Sequence, residues 1–121
     1  MPRRAKGASN AGRLRVCFVT GTRAEFGLMR TTLAAIRDHP KLQLQIVCTG
    51  MHLDPAHGRS IDTIRADGWK VDAVVPWRPR RRGNGASPDE NAAATGYAMA
   101  GLAETYKRLK SDVVLVVGDR V

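Results

Sequence analysis

Residues 14–27 have the sequence LRVCFVTGTRAEFG, which predicts a β-strand, a tight turn and the start of a helix. Four apolar residues at 16–19 are followed at once by small polar residues at 20–22, and apolar residues then recur at helical spacing. Such a junction places unpaired backbone N–H groups and the positive end of a helix dipole at one edge of a sheet, where anions bind. Arg23 adds a positive charge there.

The same stretch is also compatible with a turn that serves packing alone. It has neither of the two common phosphate signatures, GxGxxG and GxxxxGKS/T. The turn after the first strand is nevertheless the usual phosphate site of α/β folds. From the residues alone, both interpretations stay open.

The length of 121 residues allows one domain with a sizeable core. Its apolar runs are far shorter than the ~20 residues of a membrane span, and no apolar signal segment follows the N-terminus. We therefore expect a soluble, cytoplasmic protein. Cys17 and Cys48 lie within predicted strands and lack the spacing of a zinc site, so we expect both to be core residues.

The formal net charge of +9 is concentrated in two segments. Residues 1–15 carry five basic side chains and residues 78–82 carry four, with no acidic side chain in either segment. These nine account for the whole excess, because 11 basic and 11 acidic residues remain elsewhere. The neutral body and the few aromatic residues argue against a nucleic-acid-binding face. We expect residues 1–13 to be a disordered basic tail and the stretch near 76–88 to be a solvated loop insertion.

Hydrophobic periodicity predicts four strands alternating with three helices. The strands are predicted at 16–19, 42–48, 69–75 and 113–117, and the helices at 25–38, 57–67 and 88–110. This order is typical of an α/β fold with a parallel sheet, right-handed crossovers and ligand-binding loops at the carboxyl ends of the strands. Three of those loops carry Arg23, His52 and the pair Asp119 and Arg120.

Two further expectations concern the last helix and the last strand. The helix begins at Pro88 with Ser87 as its cap. Its inward stripe is expected to comprise Ala92, Gly96, Met99, Leu102, Tyr106 and Leu109. The continuous apolar run 113–117 predicts a strand covered on both faces. Since no helix follows this strand, we also expect the sheet to have an unprotected edge or face.

Five short segments of the chain occur in the order typical of one enzyme family. They are 19–27 (VTGTRAEFG), 49–53 (TGMHL), 61–68 (IDTIRADG), 108–112 (RLKSD) and 118–120 (GDR). Together they resemble the hydrolysing UDP-N-acetylglucosamine 2-epimerases over about residues 14–121. Each segment alone is a weak signal, but five in register are specific.

This resemblance implies a parallel Rossmann-like sheet of about four strands and three helices, the N-terminal half of a two-domain GT-B arrangement with a UDP-sugar between the domains. It implies an enzyme that eliminates UDP from UDP-N-acetylglucosamine to give 2-acetamidoglucal, and then adds water to release N-acetylmannosamine, a sialic acid precursor. A neighbouring branch acts on UDP-N,N'-diacetylbacillosamine for legionaminic acid. Family members form homodimers, and no metal or other cofactor is expected.

The resemblance also implies roles for individual residues. Arg23 resembles the family's diphosphate-contacting arginine, with Thr22 and Ala24 beside it, and a guanidinium suits phosphate oxygens. Asp119 resembles the active-site aspartate, in keeping with a reaction that moves a proton at C2 of the sugar. Arg120 is similar to a second arginine on the nucleotide side.

Plainer alternatives exist for these residues. His52 either faces the sugar as a catalytic residue or is a hydrogen-bonded loop histidine. Arg23 could be a surface arginine, although the helix dipole disfavours a cation at a helix start. Asp119 could merely cap the segment that follows the strand.

The family's further catalytic acids, its histidine and its uridine-binding domain would lie beyond Val121. We therefore expect the N-terminal part of a truncated or split epimerase, inactive alone. The alternative is a non-catalytic module that binds a nucleotide, or a polyanion through the basic tail. A receiver-type signalling domain needs a carboxylate cluster after the first strand. Residues 20–23 are TGTR at that position, which argues against such a domain.

Overall fold

Strands and helices alternate along the chain in the computed structural model, which describes residues 12–50, 60–76 and 87–117. The elements are β1 (Leu14–Thr20), α1 (Arg23–Asp38), β2 (Leu42–Thr49), α2 (Ser60–Ala66), β3 (Ala73–Val75), α3 (Pro88–Leu109) and β4 (Val113–Leu115). The four strands pair in parallel in the order β3-β2-β1-β4. The predicted α/β class with a parallel Rossmann-like sheet is therefore confirmed.

The sheet separates two hydrophobic clusters because successive residues of a strand point to opposite faces. One cluster joins the sheet to α1 and α2 through Phe18, Phe26, Leu33, Ile46, Cys48, Ile61 and Ile64. The other joins it to α3 through Cys17, Val47, Ala73 and Val75, against which Leu102, Tyr106 and Leu109 pack. Cys17 and Cys48 are free and buried, as expected of core residues.

Helix α1 starts two residues before the predicted position. Thr22 has extended backbone angles, and its Oγ accepts a hydrogen bond from the N–H of Glu25 at 3.2 Å. The cap therefore lies at Thr22, and Glu25 belongs to the first turn and is not the start of the helix. The helix ends at Asp38, and His39 has the extended conformation favoured before Pro40.

Strand β3 is shorter than predicted. The predicted start at residue 69 was wrong, because the strand begins at Ala73. Gly68 has a φ of +93° and ends α2, and the N–H of Trp69 bonds the carbonyl of Ile64 at 3.3 Å. Asp72 then exchanges two bonds with Ile46, since its N–H donates to the Ile46 carbonyl and its Oδ2 accepts from the Ile46 N–H, both at 2.8 Å. These residues close the helix and fasten the strand, so regular pairing begins only at Ala73.

The start of α3 agrees with the sequence. Ser87 and Glu90 form a capping box, in which the Ser87 Oγ accepts from the Glu90 N–H and the Glu90 carboxylate accepts from the Ser87 N–H. Pro88 occupies the first turn.

The first half of the predicted stripe on α3 was wrong. Ala92, Gly96 and Met99 are exposed, whereas the buried residues are Ala94, Ala98 and Thr105. Leu102, Tyr106 and Leu109 do pack against the sheet as predicted. The helix approaches the sheet through its smallest residues, because a Cβ on Gly101 would lie 2.9 Å from Cγ1 of Val75.

The prediction that residues 113–117 are covered on both faces was also wrong. Val113 and Val114 of β4 are 43% and 41% exposed, and Val116 beyond it is 62% exposed. Strand β4 lies at the edge of the described sheet. An apolar run records composition and not the presence of a covering helix, so the run 113–117 did not predict this exposure. Among the described residues, no helix has the length and apolar character of a membrane span.

Candidate functional site

The strand order identifies the edge at which a ligand is expected. The chain winds from β1 through β2 to β3 on one side and then adds β4 on the other side of β1. Open α/β sheets bind ligands beyond the carboxyl ends of the strands at this reversal point. The carboxyl ends of β1 and β4 are therefore neighbours, and the carboxyl end of β2 lies on the other side of β1.

The turn between β1 and α1 is held by four hydrogen bonds. The Thr20 hydroxyl donates to the Thr22 carbonyl at 3.3 Å, and that carbonyl also accepts from the Phe26 N–H at 3.2 Å. The Thr22 Oγ accepts from the Glu25 N–H at 3.2 Å. The Gly21 N–H donates to Oε1 of Glu25 at 2.8 Å.

Two backbone donors remain within the first turn of α1. The backbone N–H groups of Arg23 and Ala24 have no hydrogen-bond partner among the described residues. Both belong to the first turn of a 16-residue helix, where the dipole favours an anion. The junction has the geometry of an anion site at this point.

The Arg23 side chain lines a groove of about 200 Å³ between α1 and α2. Across that groove Arg30 pairs with Asp67 at 2.9 Å. Arg23 is exposed, and no carboxylate among the described residues pairs with it. The groove therefore contains one arginine that is already paired and one that can receive an external anion.

The loop after β2 starts in contact with the same turn. Gly50 has a φ of +64°, and a Cβ on it would lie 3.1 Å from the carbonyl oxygen of Gly21. Only glycine fits this backbone-to-backbone contact without displacement. The two loops are thus fixed relative to each other where the chain leaves the sheet.

Beside this contact, the Oγ of Thr49 is buried and has no hydrogen-bond partner among the described residues. A buried hydroxyl without a partner carries a desolvation cost. At the carboxyl end of β2, the Thr49 hydroxyl is therefore a hydrogen-bonding group that no residue within 12–50, 60–76 and 87–117 satisfies.

The structure places three of the six predicted site residues together. Thr22 caps α1, and Arg23 and Ala24 form its first turn. The other three, His52, Asp119 and Arg120, lie outside the described residues, as do most of the basic tail and the arginines of 78–82. The sequence analysis missed Glu25, although the pattern T-x-x-E at 22–25 is a capping signature.

Neither cysteine is poised as a nucleophile. Burial raises the pKa of Cys48 to about 11, and burial also raises the pKa of Cys17. Both thiols are therefore protonated at neutral pH. The described part of the chain has no cluster of three or more His, Cys, Asp or Glu side chains able to hold a metal.

A second groove, of about 250 Å³, lies at the amino end of β2 and is lined in part by Arg13, Arg37, Trp69 and Lys70. Arg37 lies 4.8 Å from the centre of the Trp69 ring and bonds Asp38 at 3.1 Å. Lys70 pairs with a carboxylate as well, at 3.3 Å. Two of the three cationic side chains that line this groove are thus paired with carboxylates, which leaves little net positive charge to attract a polyanion.

Comparison with protein families matches residues 34–121 to the family described as UDP-N-acetylglucosamine 2-epimerase. The chain is 35% identical over 106 residues to the UDP-N,N'-diacetylbacillosamine 2-epimerase (hydrolyzing) of Legionella pneumophila, which covers 88% of this chain and 27% of that protein. Its structure superposes on a crystal structure of UDP-N-acetylglucosamine 2-epimerase with a TM-score of 0.69 and 26% identity, covering 89% of this chain and 27% of the other.

The fold is also similar to that of the UDP-GlcNAc 2-epimerase from Neisseria meningitidis bound to UDP-GlcNAc, with a TM-score of 0.62 and 20% identity. That match covers 88% of this chain and 26% of the other. The chain thus spans about a quarter of the length of the proteins it matches.

Proposed function

Because this chain belongs to the UDP-N-acetylglucosamine 2-epimerase family, we propose that it supplies the diphosphate-binding part of a hydrolysing 2-epimerase. The whole enzyme would eliminate UDP from UDP-N-acetylglucosamine across C1 and C2 of the sugar. Water would then add to the resulting glycal, to give N-acetylmannosamine for sialic acid synthesis. The proposal assigns ligand binding, and not turnover, to these 121 residues.

The observation that carries the proposal is the set of free donors at the start of α1. The N–H groups of Arg23 and Ala24 and the guanidinium of Arg23 have no partner among the described residues, and α1 follows β1, the strand at which the order of the sheet reverses. An arginine can bind two phosphate oxygens at once and stabilise the negative charge that develops on departing UDP. The bound UDP-GlcNAc of the Neisseria meningitidis enzyme, whose fold is similar, supports the same ligand class.

The remaining roles are proposed from position in the chain. In the sequence, Asp119 follows β4 and His52 follows β2, and these two strands flank β1. A carboxylate is suited to proton transfer at C2, and Arg120 would assist on the nucleotide side. The uridine-binding domain and the other catalytic groups would be supplied by sequence equivalent to the remaining length of the relatives.

The exact sugar, the assembly and the compartment are parts of the same proposal. UDP-N-acetylglucosamine is the first candidate, and UDP-N,N'-diacetylbacillosamine is the second because the Legionella pneumophila relative is named for it. We propose a homodimer for the complete enzyme. We also propose the cytoplasm as the compartment, because free buried thiols at Cys17 and Cys48 fit a reducing environment.

The test is a titration of the ¹⁵N-labelled 121-residue chain with UDP, followed by NMR. We expect the amide signals of Arg23 and Ala24 to move with UDP but not with uridine. Arg23→Gln should weaken binding about tenfold or more, since a hydrogen bond to a charged group contributes about 1.5–3 kcal/mol.

Arg108→Gln is the matched control, because it removes the same charge from an exposed position in the last turn of α3. It should leave the affinity for UDP unchanged. If both variants lost the same affinity for UDP, the interaction would be a general attraction between charges and not binding at Arg23. If no amide signal moved at millimolar UDP, the proposal would be refuted. Parallel titrations with the two UDP-sugars would rank the candidate substrates.

A further inference from the structure

We propose that Glu25 is a positioning residue of the diphosphate site, which binds the Gly21 amide and leaves the first-turn amides of Arg23 and Ala24 to the ligand. This inference rests on the proposed function and adds a residue that takes no part in the chemistry itself.

The first step of the argument is the bond itself. Oε1 of Glu25 accepts from the Gly21 N–H at 2.8 Å, while the Glu25 N–H donates to the Thr22 Oγ at 3.2 Å. The side chain and the backbone of one residue thus close the turn from both ends. A carboxylate acceptor makes the bond to Gly21 charge-assisted and strong.

The second step is a comparison within the chain. At the start of α3, Oε1 of Glu90 accepts from the N–H of Ser87, which is itself the cap residue, at 2.9 Å. At the start of α1 the carboxylate reaches one residue further back, past the cap at Thr22 to Gly21. Glu25 therefore captures an amide of the loop, which in a phosphate-binding turn would be available to the ligand.

The third step is the contact that Gly21 makes. Its carbonyl oxygen lies 3.1 Å from the position of a Cβ on Gly50, the residue at which the loop after β2 begins. A shift of Gly21 toward the loop after β2 would therefore press its carbonyl oxygen against Gly50. The bond from Glu25 restrains the Gly21 N–H, which belongs to the peptide unit before this carbonyl, and so helps to keep Gly21 in place beside Gly50.

These contacts predict opposite effects of two substitutions. Glu25→Gln keeps an oxygen acceptor for Gly21 and removes a negative charge from the neighbourhood of the diphosphate, so UDP should bind as tightly or roughly two- to tenfold more tightly. Glu25→Ala removes the acceptor and frees the turn, so UDP should bind about fivefold more weakly or worse.

The experiment measures two quantities on the 121-residue chain. The first is the chemical shift and the solvent exchange rate of the Gly21 amide proton, measured without ligand. In the wild type we expect a downfield shift and slow exchange. The signal should be largely preserved in Glu25→Gln, but shifted upfield and fast to exchange in Glu25→Ala. The second is the affinity for UDP of the same three proteins, at a temperature where thermal melts show each to be folded.

Glu90→Ala is the matched control, because it removes an equivalent capping carboxylate from α3. It should lower the melting temperature much as Glu25→Ala does, yet leave UDP affinity and the Gly21 amide unchanged. If Glu25→Ala also left UDP affinity unchanged, Glu25 would be a helix cap only and the inference would be overturned. An unchanged Gly21 amide in Glu25→Ala would overturn it as well.

The outcomes separate this inference from the proposed function. If the wild type does not bind UDP, the proposed function fails and the role of Glu25 toward a ligand fails with it. If the wild type binds UDP through Arg23 but Glu25→Gln binds as weakly as Glu25→Ala, the proposed function stands and the positioning role is refuted.

Discussion

Substituting Gly101 by alanine tests the closest contact between α3 and the sheet. A Cβ at this position would lie 2.9 Å from Cγ1 of Val75, whereas carbon atoms pack comfortably at about 3.5–4.0 Å. Val75 is only 2% exposed, and its β-branched side chain has little rotational freedom. Either α3 or the strand must therefore move to accept the methyl group.

The size of the effect follows from two opposing terms. Alanine is more favourable than glycine inside a helix by about 0.5–1 kcal/mol, and overpacking a core costs about 1–3 kcal/mol. Gly96 is the matched control, since it lies on the same helix and a Cβ there would meet nothing within 4 Å. Both variants share the helix term, so Gly101→Ala should be less stable than Gly96→Ala by the packing term of about 1–3 kcal/mol.

The assay is urea unfolding of the wild type and both variants, followed by far-UV circular dichroism and linear extrapolation. We expect Gly96→Ala to be slightly more stable than the wild type and Gly101→Ala to fall below Gly96→Ala by the stated margin. A difference of less than about 0.5 kcal/mol between the variants would refute the claim that small residues set the distance between α3 and the sheet.

Three further predictions concern the sheet and its carboxyl edge. Gln45 is buried and donates from Nε2 to the Leu109 carbonyl at 2.9 Å, so Gln45→Leu should lower the free energy of unfolding in urea by about 1–3 kcal/mol. Gly50→Ala should weaken UDP binding and shift the Gly21 amide, since its Cβ would press on that peptide; unchanged NMR spectra would contradict this. Burial raises the pKa of Cys48 to about 11. The protonated thiol therefore contributes stability that is present below about pH 9 and is lost as the pH rises toward about 11. Cys48→Ala should flatten this pH dependence of the free energy of unfolding in urea.

The order of strands and helices could be predicted because the spacing of apolar residues changes sharply between the strand period and the helix period. Alternation at 42–46, helical spacing from Phe26 and the cap at Ser87 each have one straightforward structural interpretation, and the structure agrees with all three. Strand β3 was overestimated because Trp69 is apolar yet serves to close α2, as the bond from its N–H to the Ile64 carbonyl shows. Hydrophobicity alone does not distinguish a strand from the exit of a helix.

The orientation of α3 could not be predicted for a different reason. Between residues 91 and 101 the sequence is NAAATGYAMAG, in which nearly every position is small and Tyr97 and Met99 are the only large apolar side chains. A stripe chosen by size includes Met99, but the structure exposes both large residues and buries Ala94 and Ala98. The deciding quantity is how closely the backbones approach, and no side-chain pattern in this segment reports it.

The same limit applies to the candidate site, where two similar patterns have different consequences. The segments 22–25 (TRAE) and 87–90 (SPDE) both predict a cap followed by a carboxylate three residues later. In α3 the carboxylate bonds the cap residue itself, and in α1 it bonds Gly21, one residue earlier. Which amide the carboxylate binds depends on the path of the chain into the helix, and at α1 that path brings Gly21 close to Gly50. The charge of Arg23 can be found in the sequence, but the donors left beside it can be found only by accounting for every amide in the turn.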